Sequence, residues 1–479
     1  MKRPLSCSLL LVAALLAGCA NPQRDFDAVQ RDVAARTGGK RLHWQRGGAS
    51  DAEAQRSVQA LLKRTLTADS AAQIALLNNR DVQAELEELG IARADYLQAL
   101  LPRNPEFSFH RDFSSEGRST EFSVVGEVID LLLLPFRQKV ASAQLERAKL
   151  KTASEVLSVV SETKEAFYTL QARQQLLGRL KLIATTNEAS LDLAQRQHEA
   201  GNVTDLDLTN QQALYSQSKV DVARTQAQIR SDRERLNRLM GLWGPAVGWR
   251  VADQLPPVPK SERSLAGLEK RAVEERIDIA LARQSVEAAR VGLAVRSGTR
   301  FTPISIKGGI HAEKEPDSAQ RKGPTVDVQL PLFDFGQAAI PKLQAQYRQA
   351  QHRLEALAVN ARSEVREARD LVIANRDMAR FYEKTLLPQR LKILNQTQLF
   401  YNAMQVGPID LLAAKERELE TERRYIEAWR DYWLARVQLE RALIGTGGAG
   451  GGMSQRGGGG SEERGTSGGN SGATAADAD

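Results

Sequence analysis

The chain has 479 residues, of which 26% are charged and only 5% are aromatic, and its formal net charge is +7 at pH 7. This composition suits long helices with much exposed surface rather than a single thick core. The positive charge is spread along the chain without a basic block, so no nucleic-acid partner is predicted.

The N-terminus is typical of an exported lipoprotein. Two basic residues precede an apolar run from Leu5 to Leu16, and the motif "LAGC" ends at Cys19. This pattern predicts a signal peptide over residues 1–18. The motif resembles the bacterial lipobox, which implies that Cys19 carries a lipid such as palmitate, and Ala20 after it favours the outer membrane. An ordinary signal peptide with an incidental cysteine is the alternative. Because Cys7 is removed with the signal, no free thiol remains for a disulfide or a cysteine metal site.

The rest of the chain is duplicated. Asp81 and Asp278 lie 197 positions apart, and the triplets "LMG" and "LIG" that close the two copies lie 204 apart. Two copies indicate a duplication rather than a solenoid. We therefore predict six segments: a signal peptide (1–18), an extended segment that wraps around the rest of the protein (19–65), repeat 1 (66–242), a Pro-rich connection (243–262), repeat 2 (263–445) and a disordered Gly/Ser-rich tail (446–479).

Both copies have the same predicted plan. A helix of about 35 residues begins at a hydroxyl cap, Thr67 or Ser264. Two short strands follow, at 105–113 and 121–129 in repeat 1 and at 304–313 and 325–332 in repeat 2. A very long helix (139–200 or 342–402), a turn, and a last helix ending near 241 or 444 complete each copy. The predicted fold class is mostly α with a small β part.

The long helices carry a coiled-coil pattern. Apolar and small residues recur at alternating steps of three and four, from Val156 to Leu177 in repeat 1 and from Leu354 to Leu386 in repeat 2. Such a stripe packs helices along their whole length. An ordinary amphipathic helix, the alternative, does not explain some sixty uninterrupted residues, which would span about 90 Å.

The strands alternate apolar and polar residues, a pattern of transmembrane barrels. The residues predicted to face lipid are Phe107, Phe109, Ile304, Ile306, Val326 and Val328. Four strands cannot close a barrel, and an open sheet in lipid would leave its edges unpaired. We therefore predict that three chains share one barrel of twelve strands. Two hairpins packed on a soluble helical bundle are the alternative.

The order of these motifs resembles the TolC-like outer membrane factors. The resemblance covers about residues 66–445 and rests on "PEFSF" and "PISI" at the strands, "LPLFDFGQ" at 330–337, "EAGNVTDLDL" after the first long helix, and the closing "LMG" and "LIG". The lipoprotein start is similar to the branch that serves resistance-nodulation-division pumps. The resemblance implies a homotrimer in which a twelve-stranded outer membrane β-barrel continues into an α-helical tunnel in the periplasm.

The same resemblance implies a function and partners. The expected function is that of an exit duct, which passively conducts small molecules or metal ions from a pump–adaptor complex to the outside. The expected partners are a periplasmic adaptor (membrane fusion) protein, a proton-driven inner membrane pump and outer membrane lipid. Alternatives are the exit duct of a type I protein secretion system, a periplasmic adaptor, and a structural helical lipoprotein.

The turns after the long helices are expected to form the periplasmic tip and gate. The residues concerned are Gly201, Thr204, Asp205, Asp207, Gly407, Pro408 and Asp410. The carboxylates could form acidic rings in a trimeric mouth. Alternatively, Thr204 and Asp207 form a capping box, and Asp410 occupies the matching position in repeat 2.

Motifs of catalysis are not found in the sequence. The five histidines have no metal-ligand spacing, and no Gly-rich phosphate loop or nucleophile motif is present. We therefore predict no enzyme, no cofactor and no metal site, and expect any energy for transport to come from a partner.

Overall fold

The computed structural model describes residues 23–114, 117–262, 266–301, 305–314, 321–329, 333 and 335–446. In chain order the helices and strands are α1 Gln23–Thr37, α2 Ala49–Leu62, α3 Ala68–Asn78, α4 Arg80–Leu100, β1 Glu106–Ser114, β2 Gly117–Glu127, α5 Val128–Glu199, α6 Asp205–Met240, α7 Leu268–Glu275, α8 Ile277–Gly298, β3 Ser305–Lys314, β4 Arg321–Gln329, α9 Ala339–Phe381, α10 Leu387–Asn402 and α11 Pro408–Ile444. The predicted fold class is confirmed.

The predicted signal peptide (1–18), Cys19, Ala20, Ser264, Ile304 and the tail from residue 447 onward lie outside the described residues. The hydroxyl cap in repeat 1 is confirmed, because the backbone N–H of Ser70 donates to the Thr67 hydroxyl at 3.1 Å.

The four strands form one antiparallel sheet in the order β1-β2-β3-β4. β2 pairs with β3, so the sheet joins the two repeats. β2 and β4 begin at Gly117 and Arg321, four residues before the predicted positions 121 and 325. In repeat 1 the reason is a tight hairpin, since Ser114 pairs directly with Gly117 and the ladder runs to the turn.

The coiled-coil stripes of the long helices are buried. Val156, Phe167 and Leu170 of α5 are at most 2% exposed, and Val365 and Val372 of α9 at most 1%. α5 has 72 residues and begins directly after β2, eleven residues earlier than predicted.

The second long helix is not uniform, contrary to prediction. A π-helical turn, Tyr382–Leu386, separates α9 from α10. It lies just before Pro388, which lacks an N–H and whose ring collides with the carbonyl four residues earlier. A π turn is one way for a helix to absorb this without ending.

The first helix of each copy is also broken, contrary to prediction. α3 ends at Asn78 and α4 starts at Arg80, with an extended residue, Asn79 (ψ 133°), between them. The Asn79 side chain caps α4, and its amide donates to the carbonyl of Leu239 at 2.8 Å. Arg276 stands in the same place between α7 and α8. Because helix-forming residues flank each break on both sides, the sequence pattern did not predict it.

Residues 19–65 were predicted to be extended, and this is wrong for much of the segment, which contains α1 and α2. Phe26, Val29 and Val33 lie three and four positions apart, and all three are buried. They pack with residues of α4 and α5 in one core cluster. The helical spacing was present in the sequence. The segment was nevertheless interpreted as an extended wrapper because it has no counterpart in repeat 2.

Glycine closes each repeat at the "LMG" and "LIG" motifs. Gly241 follows α6 with φ 65°, and Gly445 follows α11 with φ 76°, so both adopt the left-handed conformation of a helix C-terminus. A Cβ on Gly241 would collide with the carbonyl oxygen of Asn78. The motif therefore lets the last helix end against the break in the first helix of the same copy.

We expect Gly241→Ala to lower the free energy of unfolding by more than about 1 kcal/mol, because it adds a collision to the left-handed penalty. Gly178→Ala is the matched control. Gly178 lies within α5 with no atom within 4 Å of an added Cβ, so alanine there should stabilise by about 1 kcal/mol. Thermal melts of both variants check this prediction. Changes in melting temperature in the same direction for the two variants would contradict it.

Candidate functional site

The register of the sheet gathers the apolar residues of all four strands on one face. Phe107 lies opposite Val124 and Phe109 opposite Phe122, and β2 continues the face into β3, where Val124 meets Ile310. In the last pair, the partners are Ile306↔Val328 and Gly308↔Val326. The large side chains of this face are exposed: Phe107 67%, Phe109 61%, Ile310 63%, Val326 67% and Val328 49%. The single chain therefore presents a continuous apolar surface.

The opposite face of the sheet is polar. His110, Glu121 and Glu313 are successive cross-strand neighbours on β1, β2 and β3. His311 Nδ1 lies 3.4 Å from Glu121 Oε1, and Lys307 Nζ lies 3.4 Å from Glu106 Oε2. A sheet with one apolar and one charged face separates an apolar from an aqueous medium.

The turn between α5 and α6, at residues 200–204, is fixed by hydrogen bonds of the backbone and of side chains. Gly201 is left-handed with φ 76°, and the backbone N–H of Asn202 donates to the carbonyl of Gln197 at 2.8 Å. The Thr204 hydroxyl accepts from the Asp207 backbone N–H at 3.2 Å and lies 2.7 Å from the Asp207 carboxylate, to which it donates. This is a variant of the predicted capping box, because the Asp207 carboxylate accepts a hydrogen bond from the Thr204 hydroxyl instead of from the Thr204 backbone N–H.

Asp205 takes no part in this cap. Its side chain is 93% exposed, and His198 Nε2 is 3.4 Å from its carboxylate. The other imidazole nitrogen, Nδ1, donates to the Val203 carbonyl at 3.0 Å. His198 therefore links the end of α5 to the turn, a role that its isolated position in the sequence did not suggest.

The second turn, at residues 403–407, repeats this geometry with other residues. Met404 takes the left-handed conformation with φ 60° at the position that Gly201 holds in repeat 1. The backbone N–H of Gln405 donates to the carbonyl of Phe400 at 2.9 Å. Gly407 has no side chain to cap α11, and Asp410 accepts from its backbone N–H at 3.0 Å. Met404 is 93% exposed and was missed by sequence reasoning. Its alignment with Gly201 was the available signal.

Both turns lie at the same end of the helices. Lys164 of α5 pairs with Glu440 of α11 at 2.7 Å, and Arg179 pairs with Glu422 at 3.1 Å. The residue numbers of the paired positions rise along α5 as they fall along α11, so the two helices are antiparallel. The start of α11 therefore lies beside the last turns of α5. The sheet joins the opposite end of α5. The predicted tip residues thus share one end of the molecule and the predicted lipid-facing residues the other.

Two further features concern the described residues alone. No helix there carries an apolar stretch of the length needed to cross a bilayer. In the same part of the chain, no group of three or more His, Cys, Asp or Glu side chains converges so that it could hold a metal ion.

Known proteins share this sequence pattern. A family model described as outer membrane efflux protein matches residues 71–242. The cobalt-zinc-cadmium resistance protein CzcC of Cupriavidus metallidurans is 22% identical over 386 residues, which cover 79% of this chain and 90% of CzcC. The toluene efflux pump outer membrane protein TtgC of Pseudomonas putida is 25% identical over 456 residues, which cover 83% of this chain and 90% of TtgC. The chain is therefore similar to outer membrane efflux proteins, in repeat 1 to the family model and over most of its length to these two relatives.

Solved structures agree on the fold. The Campylobacter jejuni CmeC outer membrane channel has a TM-score of 0.66 at 14% identity, over 85% of this chain and 90% of CmeC. CusC has a TM-score of 0.64 at 19% identity, over 81% of this chain and 92% of CusC. Together with the sequence relatives, they confirm the predicted resemblance and, with it, an efflux component of the bacterial outer membrane that extends into the periplasm. The family that the matching model describes is one of channel proteins.

Proposed function

We propose that three copies of this chain form the exit duct of a tripartite efflux system. The observation that carries the proposal is the sheet. Its apolar face is exposed, and its outer strands, β1 and β4, each have an edge without a partner among the described strands. The apolar face suits contact with lipid, but the unpaired edges are unstable in a bilayer unless other chains pair with them. Three sheets of four strands make a closed barrel of twelve.

The helices support the same assembly. α9 buries one stripe, which includes Val365 and Val372, against its own chain. A second stripe on α9, at steps of three and four, is exposed and consists of Leu371, Ala374, Met378 and Phe381. A second coiled-coil seam without a partner in its own chain suits a neighbouring copy. In this proposal the three chains enclose a helical tunnel.

The tip supports docking of a periplasmic adaptor protein. Leu206 is 70%, Leu399 66%, Phe400 52% and Met404 93% exposed around the two turns. Exposed apolar residues at one end of a protein mark an interaction site. We propose that the adaptor binds there and connects the duct to a proton-driven inner membrane pump. The duct conducts passively and has no catalytic role, and its cargo is small molecules or metal ions, which agrees with the names of CzcC and TtgC.

The experiment is single-channel recording of the purified protein in planar bilayers. The proposal predicts discrete conductance steps from a trimer. A protein that binds the bilayer without conducting would contradict it and favour a structural lipoprotein.

The tip carboxylates should differ in their effects on conduction. We expect Asp205→Ala to raise conductance or weaken cation preference while leaving the melting temperature unchanged, because the exposed Asp205 takes no part in the cap and three copies would form a negative ring. Single-channel recordings in a salt gradient, paired with thermal melts, measure both effects.

Thr204→Ala is the contrasting variant. It removes the cap of α6 and should cost about 1 kcal/mol of stability with little change in ion preference. If Asp205→Ala conducts like the parent, Asp205 is only a solvated residue and the gate lies elsewhere.

A further inference from the structure

A pocket of about 460 Å³ lies between α2, α3 and residues 41–43. Leu42, Ala54 and Leu77 are its apolar lining, and all three are buried. Arg41 and Arg64 also line the pocket, and both are exposed. The pocket therefore combines a small apolar floor with two guanidinium groups at its mouth.

The carboxylates beside this pocket are engaged by other cations. The Asp51 carboxylate lies 2.7 Å from His43 Nε2 and accepts from the backbone N–H of Gly47 at 2.7 Å. Asp69 pairs with Lys40 at 2.6 Å. Among the pocket residues this leaves the carboxylate of Glu53, whereas Arg41 and Arg64 form no ion pair with any residue that the structure describes.

Two further cations enlarge the positive surface. Lys63 follows the last residue of α2 and precedes Arg64. The backbone N–H of Leu66 donates to the Arg250 carbonyl at 2.8 Å, which brings Arg250 beside the chain just after Arg64. Lys63 and Arg250 are exposed, and neither has an ion-pair partner in the described part of the chain. We call Arg41, Lys63, Arg64 and Arg250 the basic patch.

This absence of partners differs from the pattern on other helices. Exposed arginines elsewhere pair within their own helix, as Arg290 does with Glu287 at 2.6 Å and Arg271 with Glu275 at 3.1 Å. The sequence offers no carboxylate three or four positions from any of the first three residues of the basic patch. The net charge of +7 is thus spread along the sequence, but the fold gathers uncompensated cations at one place. Such a concentration of charge attracts an anionic partner.

The position of the basic patch excludes lipid as that partner. Leu66 packs in one core cluster with Phe167 of α5. The α5 axis rises about 60 Å from Val128, next to the sheet, to Phe167, whereas the headgroup region extends only about 5–8 Å beyond the hydrocarbon core. Another 50 Å or so separates Phe167 from Glu199 at the tip. The basic patch is therefore remote from both the bilayer and the tip.

The chemistry of the pocket fits a short acidic peptide. Guanidinium groups bind carboxylates through paired, charge-assisted hydrogen bonds, so Arg41 and Arg64 suit acidic side chains. A small apolar side chain of the same peptide would cover Leu42 and Ala54, and Glu53 would accept from a peptide N–H. The volume lies within the range of small-ligand pockets, about 300–1,000 Å³, so only a short segment can enter.

We propose that the basic patch and its pocket bind an acidic peptide segment of a periplasmic partner protein. This surface is separate from the lipid-facing sheet and from the tip to which the adaptor is assigned. The proposal goes beyond the exit-duct function and does not depend on it.

The test titrates a fluorescein-labelled peptide of alternating aspartate and alanine with the purified full-length protein in detergent and records fluorescence anisotropy. We expect saturable binding that weakens steeply as the salt concentration rises, because the contacts are ionic. The same peptide with asparagine in place of aspartate is the control and should not bind. Equal binding of the two peptides would overturn the proposal.

Variants of the protein locate the binding surface. Arg41→Gln and Arg64→Gln should each weaken the peptide affinity by about tenfold, the effect of losing a hydrogen bond between charged groups. Arg348→Gln is the matched control, because Arg348 is an exposed arginine of α9 that does not line the pocket, and its affinity should equal that of the parent. Ser57→Trp fills the pocket from α2 and should abolish binding.

Three outcomes would overturn the proposal. They are an unchanged affinity in both pocket arginine variants, displacement of the peptide by inorganic phosphate at equal concentration, and loss of trimer in Arg41→Gln or Arg64→Gln. The last result would assign the basic patch to a contact between copies. Single-channel conductance of the same samples should match the parent, so failure of this proposal is distinguishable from failure of the duct.

Discussion

Val326→Arg is expected to abolish stable insertion of the trimer into the outer membrane. Val326 lies in the middle of β4 on the apolar face and is 67% exposed. An arginine on the lipid side of a barrel costs about 2–4 kcal/mol near the bilayer midplane. A trimer incurs this cost at three sites, so the effect should exceed that of any single tip substitution. The measurement is the amount of folded trimer in isolated outer membranes.

Thr325→Arg is the matched control for this prediction. Thr325 precedes Val326 on the same strand, faces the polar side, and lies opposite Gly309, which leaves room for a longer side chain. A lumen-facing arginine should leave insertion intact and alter ion preference. Equal loss of trimer in both variants would mean that the two faces of the sheet are misassigned.

Arg276→Met is expected to destabilise the helical part by about 3–5 kcal/mol, the usual cost of breaking a buried charge pair. The Arg276 side chain is fully buried and contacts Asp278 at 2.6 Å and Glu364 at 2.7 Å. It also donates to the Ala442 carbonyl at 3.0 Å. Burial alone would lower the pKa of Arg276, but hydrogen bonds to the two carboxylates and their charges raise it above its ordinary value. Without Arg276, two carboxylates would face each other beside the core.

Arg271→Met provides the control for Arg276→Met. Arg271 pairs with Glu275 at 3.1 Å, but both side chains are more than half exposed, and such pairs contribute about 0–1 kcal/mol. Thermal melts in detergent should show a large loss for Arg276→Met and little change for Arg271→Met. Similar melting temperatures for the two variants would contradict the role given to the buried network.

The sequence predicted the parts of the fold that depend on periodicity. A spacing of 3.5 residues identified the long helices, and a period of two identified the strands and their apolar faces. These patterns are strong because each is repeated over many residues and then again in the second copy. The duplication also placed Asp207 and Asp410 at matching positions, where both bond to helix N-termini.

Features that depend on a single residue were not predictable. Asn79 and Arg276 break their helices through bonds to residues more than 150 positions away, Leu239 and Ala442. Such a contact leaves no local trace in the sequence. The left-handed Met404 differs from these two, because the methionine itself gives no sign of that conformation but its alignment with Gly201 does.

The candidate site was predictable in composition but not in detail. The sequence named the residues of the turns and offered capping for Asp207 and Asp410, yet it could not show that Asp207 accepts from the Thr204 hydroxyl while Asp410 accepts from the backbone N–H of Gly407. That distinction depends on which donors the backbone brings within reach. His198 was dismissed for the same reason, since its partners, Val203 and Asp205, become neighbours only when the turn closes.

The central claim, three chains closing one barrel, is tested most directly by disulfide trapping between β1 and β4. The natural chain has only Cys7 and Cys19, so Phe109→Cys can be combined with a cysteine at Lys322, Pro324, Val326 or Val328 in turn. Within one chain β1 and β4 are three strand spacings, about 14 Å, apart, which is beyond disulfide reach. We expect oxidation of at least one pair to give covalent trimers and nothing larger, with single-cysteine variants as controls. Monomers at every register, or a ladder that continues beyond three, would contradict the shared barrel.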